Sequence, residues 1–269
     1  MKLFLTGLAL VAIISCNDDK VEGEDSSLVP SLGNIPEPQN IAYSIVAQHP
    51  KDTGAYTQGL EMYKGKLFES TGDYARSSIR ITDYKTGKVE EKHVMGSNKI
   101  FGEGLTILRD TVYQLTWVSN IVYVYAVGNL QKPIKTLKWP KEGWGLTNDG
   151  TNLIISDGTN NLYFVDPQTL GIRKSLPVLS YKGPIDNLNE LEYIDGFIYA
   201  NVYGQNYIVK INPANGYIVG VLVFENLLKP NEKIPGRTDE FNGIAYDTST
   251  STMLVTGKRW PKLFEVKLN

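Results

Sequence analysis

Residues 103–117 read EGLTILRDTVYQLTW, a short apolar strand, a polar turn at Arg109 and Asp110, then a second apolar strand. The same frame returns four more times. Residues 58–72 read QGLEMYKGKLFESTG, 144–158 WGLTNDGTNLIISDG, 189–203 NELEYIDGFIYANVY and 242–257 NGIAYDTSTSTMLVTG, the last one residue longer. The starts lie 45, 41, 45 and 53 residues apart. A period of this length with strand–turn–strand content marks a β-propeller. The frame is kept while its leading residue varies: Gln58, Glu103, Trp144, Asn189, Asn242. Such a repeat builds one site from five directions.

Lys64-Gly65-Lys66, Asn148-Asp149-Gly150 and Ile194-Asp195-Gly196 supply the turn between the first two strands. Third strands are expected at 78–84, 161–165 and 207–211, and fourth strands at 88–95 and 217–224. Four strands make a blade, and residues 41–269 accommodate five blades of about 45 residues. The fifth unit ends on its third strand, 262–268, while an orphan strand, 41–48 (IAYSIVAQ), precedes the first repeat. The expected fold is an all-β, five-bladed propeller of four-stranded antiparallel blades. The N-terminal strand should complete the last blade and close the ring, because closure removes free sheet edges.

Residues 1–16 read as a secretory leader. Lys2 precedes an apolar run over 3–14 that is too short to span a bilayer. The run ends Ile13-Ile14-Ser15-Cys16, a small residue before the single cysteine of the chain, which resembles a bacterial lipobox. Cleavage before Cys16 and its lipidation would tether an exported protein to the cell envelope. Residues 17–40, acidic and rich in Ser and Pro, are expected to form a disordered stalk. A net charge of -2 and the lack of a basic stripe argue against a nucleic-acid partner. The chain is expected to act as a monomer.

The first strand of a propeller blade lines the central channel, so the repeat starts converge on one mouth. Trp117, Tyr203, Lys258 and Trp260 lie at nearby strand ends. Glu103 is the only ionisable residue of the lead set and the only channel-facing carboxylate expected. The segments 53–57, 99–102, 141–143, 182–188 and 229–241 should rim the mouth, the last and longest as a partial lid. His49 and His93 are the only histidines. His49 falls close enough to the mouth to join its rim, and His93 falls on an outer strand. Neither has ligand spacing to another His or Cys, which argues against a common zinc site and a Ser-His-Asp triad. Trp139 and Trp260, each followed by Pro, read as packing residues, and Glu190, alternating away from Asn189, reads as structural.

The motifs YTQGLE, FGEGLT, QLTW, GWGLTNDG, NELEY, FNGIAY and TGKRWP, in this order, resemble the plant and bacterial glutamine cyclotransferases over residues 41–269. That resemblance implies conversion of an N-terminal Gln of a peptide or protein to pyroglutamate with release of ammonia. It implies Glu103 as proton shuttle, with Gln58 and Asn189 as amides of the site and Lys258 as its lysine. Trp117, Trp144, Tyr56 and Phe101 become the aromatic walls. Tyr56 stands where the family often has Phe, and Tyr203 where it often has Trp; each keeps a ring and adds a hydroxyl. Asn242 joins these as an expected substrate contact. No cofactor and no metal are expected.

The residue types suit that chemistry. The α-amine attacks its own γ-carboxamide carbon, so holding the side chain curled supplies an intramolecular advantage. One carboxyl can take the proton from the amine and give it to the leaving nitrogen. Flanking indoles should raise its pKa, and a nearby lysine should oppose that. Gln58, Asn189 and Lys258 are all eligible donors to the developing oxyanion. Two other readings stay open on the residues alone. One is a metal-dependent propeller hydrolase such as a lactonase, with Glu103, Asn189 and Asn242 as Ca²⁺ ligands. The other is a binding propeller without catalysis.

Overall fold

The computed structural model describes residues 35–269. Cys16 and residues 17–34 of the expected stalk lie outside the described residues. Blade I comprises Thr57–Tyr63, Lys66–Thr71, Ser78–Asp83 and Lys88–Val94. Blade II comprises Gly102–Leu108, Thr111–Thr116, Ile121–Ala126 and Lys135–Lys138. Blade III comprises Leu146–Asn148, Leu153–Ser156, Asn161–Val165 and Ile172–Pro177. Blade IV comprises Leu188–Ile194, Phe197–Val202, Tyr207–Ile211 and Ile218–Val223. Blade V takes Phe241–Asp247, Thr252–Gly257 and Lys262–Leu268, and its outermost strand is Tyr43–Pro50, antiparallel to Lys262–Leu268. The N-terminal strand thus closes the ring as expected, two residues later than the sequence suggested.

Two placements differ from expectation. Strand pairing begins before Ile41: Gln39–Asn40 pairs in parallel with Gly220 and Val221 at the outer edge of blade IV. The pairing uses backbone only, so the polar side chains carry no trace of it. His49 is not at the rim. It sits on the outermost strand of blade V, 3.0 Å from Glu265 Oε2 and edge-on to Tyr84.

Five hydrophobic clusters fill the wedges between neighbouring blades. Phe68 and Ile79 meet Leu105 and Val112 between blades I and II. Leu115 and Val124 meet Leu153 and Val165 between II and III. Ile154 and Leu162 meet Leu191 and Val209 between III and IV. Tyr199 and Ile208 meet Phe241, Trp260 and Phe264 between IV and V. Leu60, Leu67 and Tyr84 meet Ala245, Leu254 and Leu263 in the wedge between V and I. Burial on both faces explains why the middle strands read as apolar runs, as in LIIS and LYFV, rather than as alternation. Trp139 and Trp260 belong to these wedges, as their sequence context implied.

The second residue of each lead pair governs how closely the inner strands approach. It is Gly in four blades: Gly59, Gly104, Gly145 and Gly243. A Cβ on Gly145 would lie 1.8 Å from Asn189 O, and one on Gly104 would lie 2.5 Å from Leu146 N. Blade IV has Glu190 instead, fully buried, and its carboxylate fills the space the glycines leave. It accepts hydrogen bonds from Leu60 N at 3.0 Å and Ile244 N at 2.8 Å, joining blades I, IV and V. Glu61 and Glu192 work similarly, accepting from Ile107 N and Tyr246 N. Glu190→Ala would orphan two buried N–H groups, each costing about 1–3 kcal/mol. A stability loss of about 3 kcal/mol or more is expected by urea denaturation, and a loss below about 1 kcal/mol would show that the staple is dispensable.

Candidate active site

The lead residues reach the channel mouth because the inner strands bulge there. In blade I, Thr57 faces Thr71 and Gly59 faces Ser70, so Gln58 is the extra residue. The same one-residue excess falls between Gly102 and Leu105, between Leu188 and Leu191, and between Phe241 and Ile244. In blade III, Trp144 N donates to Ser156 O while Ser156 N donates to Gly145 O, so two residues again oppose one. A bulge re-aims one side chain while the ladder continues. The conserved frame with a variable first letter is the sequence trace of this device.

The bulges surround a cavity of about 340 Å³ lined by Tyr56, Gln58, Phe101, Glu103, Trp117, Trp144, Asn189, Tyr203 and Lys258. All were expected at the site. Asn242 was expected too, but it does not line the cavity. It is fully buried behind Gln58, with Nδ2 3.1 Å from Thr57 O and 3.3 Å from Gln58 Oε1. Its amide holds Gln58 through these two bonds.

Glu103 is 5% exposed, and Gln58 Nε2 donates to its Oε1 at 2.9 Å. Its Oε2 has no protein hydrogen-bond partner among the described residues. Burial pushes the Glu103 carboxyl well above the usual carboxylate range, while the Lys258 charge and the Gln58 bond pull it back. Glu103 is the only carboxylate lining the cavity. It is not the only one on the inner strands, since Glu61, Glu190 and Glu192 lie there too, bonded to backbone.

Lys258 is 3% exposed and held between two rings, its Nζ 5.0 Å from the Tyr56 centroid and 4.8 Å from that of Tyr203. Its Nζ forms no hydrogen bond to a described residue. Burial lowers its pKa, opposed by Glu103, Asp239 and Glu240. The rings at 56 and 203 therefore keep a cation–π role whichever aromatic stands there. Burial and the nearby Asp239 carboxylate raise the pKa of the Tyr56 hydroxyl. Asn189 lines the cavity, and its Oδ1 is buried without a hydrogen-bond partner among the described residues.

The remaining walls are aromatic. Phe101 packs edge-on to Tyr56 at 5.9 Å and to Trp117 at 6.0 Å, and Trp144 packs edge-on to Tyr203 at 5.9 Å. Tyr74 extends this collar outward, edge-on to Phe101 at 5.2 Å. Sequence reasoning missed Tyr74, Asp239 and Glu142, whose carboxylate accepts from the indoles of Trp117 and Trp144. All three stand outside the repeat; the segments 141–143 and 229–241, which carry Glu142 and Asp239, were expected at the rim, but periodicity does not tell which of their residues reach the site.

A propeller whose channel mouth holds a buried carboxyl, an unpaired ammonium and an aromatic collar defines an enzyme site for a small polar group. The glutamine cyclotransferase family model matches residues 15–268. A curated glutaminyl-peptide cyclotransferase of Arabidopsis thaliana is 42% identical over 228 residues, spanning 83% of this chain and 70% of that protein. The crystal structure of a Myxococcus xanthus glutaminyl cyclase superposes with a TM-score of 0.80 at 31% identity, covering 87% of this chain and 99% of that one. The chain belongs to the glutamine cyclotransferase family, and so to the transferases that form pyroglutamate.

Proposed function

We propose that the chain cyclises an N-terminal Gln of peptides or proteins, with Glu103 as the proton shuttle and Lys258 as the oxyanion donor. The observation that carries this reading is Glu103 itself. It is the single carboxyl at a cavity walled by rings, with one oxygen tied to Gln58 and the other free. The cavity volume, about 340 Å³, lies at the small end of ligand pockets, in keeping with one curled side chain rather than a whole peptide.

The step balances within the substrate. The α-amine nitrogen bonds to the γ-carboxamide carbon, the carboxamide oxygen takes negative charge, and Glu103 takes the proton the amine sheds. Glu103 then returns that proton to the carboxamide nitrogen as its bond to carbon breaks. The carbonyl re-forms and ammonia leaves. The donor inventory favours Lys258 for the oxyanion. Gln58 is already donating to Glu103, whereas the Lys258 ammonium faces the cavity unpaired.

Catalysis needs no metal in this reading, since the cavity offers one carboxylate and no imidazole. The lipobox-like sequence supports export and a lipid anchor on Cys16 that holds the propeller in the cell envelope, and we propose that it acts there as a monomer. Ammonia release from a Gln-initiated peptide, with and without EDTA, tests the reading. Turnover that survives the chelator supports it. No release from any Gln-initiated peptide by folded protein would refute it. Labelling of Cys16 by a fatty-acid probe in cells tests the anchor.

A further inference from the structure

We propose that Glu142 is a positioning residue whose carboxylate clamps the two indoles that wall the substrate cavity. This rests on the cyclotransferase reading of that cavity. Glu142 sits in the segment linking blades II and III and takes no part in the repeat. Its Oε2 accepts from Trp117 Nε1 at 2.8 Å and from Trp144 Nε1 at 3.0 Å. One indole ends the second strand of blade II and the other leads blade III. A single oxygen thus sets the orientation of two rings from different blades. Indole has one donor, so the choice of acceptor determines which way the ring lies. A charged acceptor makes each bond about twice as strong as a neutral one.

The carboxylate is itself held in place. Trp139, 1% exposed in the wedge between blades II and III, donates its indole N–H to Glu142 O at 3.0 Å. Asn120 Nδ2 bonds Trp139 O at 2.9 Å and Lys141 O at 3.0 Å. Gly143 N donates to Trp117 O at 3.1 Å, and a Cβ on Gly143 would meet Thr116 O at 2.8 Å, so the segment lies flat on blade II. Three of the four tryptophans of the chain therefore donate to one residue: the buried one fixes its backbone, and its side chain fixes the two at the site. Trp144 is seated from the other side as well. A Cβ on Gly158 would lie 2.6 Å from Trp144 Cζ2, so the ring lies against that glycine. Without Glu142 the rings keep their stacking partners but lose the bonds that set their tilt.

Glu142 is exposed, so its replacement should leave the fold intact. The test compares wild type, Glu142→Gln and Glu142→Ala on a Gln-initiated peptide, with ¹⁵N-indole spectra of each. Glu142→Ala is expected to raise KM about tenfold with a smaller change in kcat and an unchanged melting temperature. Glu142→Gln keeps an oxygen acceptor in place and should stay within about threefold of wild type. In Glu142→Ala the indole N–H signals of Trp117 and Trp144 should move, while that of Trp260, bonded to Asp239 O, should not. A KM for Glu142→Ala within about twofold of wild type would overturn the clamp, as would a Gln variant no better than Ala. If wild type showed no turnover, the functional reading would fail separately, and the indole spectra would still decide whether Glu142 holds the two rings.

Discussion

Glu103→Gln is expected to lower kcat for a Gln-initiated peptide by about 10³-fold while the protein melts at the wild-type temperature or slightly above it. The two halves of this expectation have one cause. Burial disfavours the charged form of Glu103 in the folded protein, so exchange for a neutral isostere removes a strained charge rather than a support. Gln58 can still donate to the new amide oxygen, as it donates now to Oε1. What the amide cannot do is accept the amine proton and return it to the leaving nitrogen. Ammonia release and a thermal melt measured on one preparation check both halves. A loss of less than about tenfold would show that solvent carries the proton and that Glu103 serves only to bind.

Lys258→Met should cost about 10²–10³-fold in kcat, the range for removal of an oxyanion donor. It should also displace the pH profile in a determined direction. Glu103 enters the cycle as a base and must be ionised to take the amine proton. Its carboxyl is raised by burial and lowered by the Lys258 charge. Removing that charge leaves burial opposed by the Gln58 bond alone, so the acid limb moves to higher pH. In wild type, activity should also decline on the alkaline side as Lys258, its own pKa lowered by burial, loses its proton. Methionine has no such proton, so that limb should flatten. Profiles of kcat against pH for the two proteins distinguish these outcomes. An acid limb that stays fixed or moves down would mean that Lys258 does not act on Glu103.

Five blades and the cavity residues Gln58, Glu103, Trp144 and Asn189 were legible because both follow from one repeat, with Trp117, Tyr203 and Lys258 at nearby strand ends, whereas Tyr56 and Phe101 came from the resemblance to the glutamine cyclotransferases. Strand–turn–strand periodicity identifies the blades, and the bulge at each blade start forces the leading residue toward the mouth. Glu190 was legible as structural by alternation alone. Depth was not legible. Asn242 shares the lead position with Gln58 and Glu103, yet turns behind Gln58, since periodicity reports the face of a strand and not its height along the channel. Contacts between segments of different period were hidden as well. Glu142 reaches Trp117 from across a blade boundary, and Gln39–Asn40 joins blade IV through backbone atoms that no side chain advertises.

The closing strand dictates an order of folding. Tyr43–Pro50 finds its partner only in Lys262–Leu268, and the contact between His49 and Glu265 spans 216 residues. A chain emerging from the ribosome can build the wedges from I–II through IV–V in sequence, each between neighbours, but not the wedge between V and I. That last junction carries the largest loop-closure entropy and should be the slowest step. It also has the smallest apolar cluster, beside a buried ion pair in which Lys51 Nζ lies 3.2 Å from Glu69 Oε1, and a pair between buried Arg80 and exposed Asp52 at 2.8 Å. Lys51 and Asp52 directly follow the closing strand and reach Glu69 and Arg80 of blade I, so these ion pairs tie the end of that strand to the blade beside it. Until that strand docks, Lys262–Leu268 is a bare sheet edge, the state in which the chain is most prone to pair with another copy of itself.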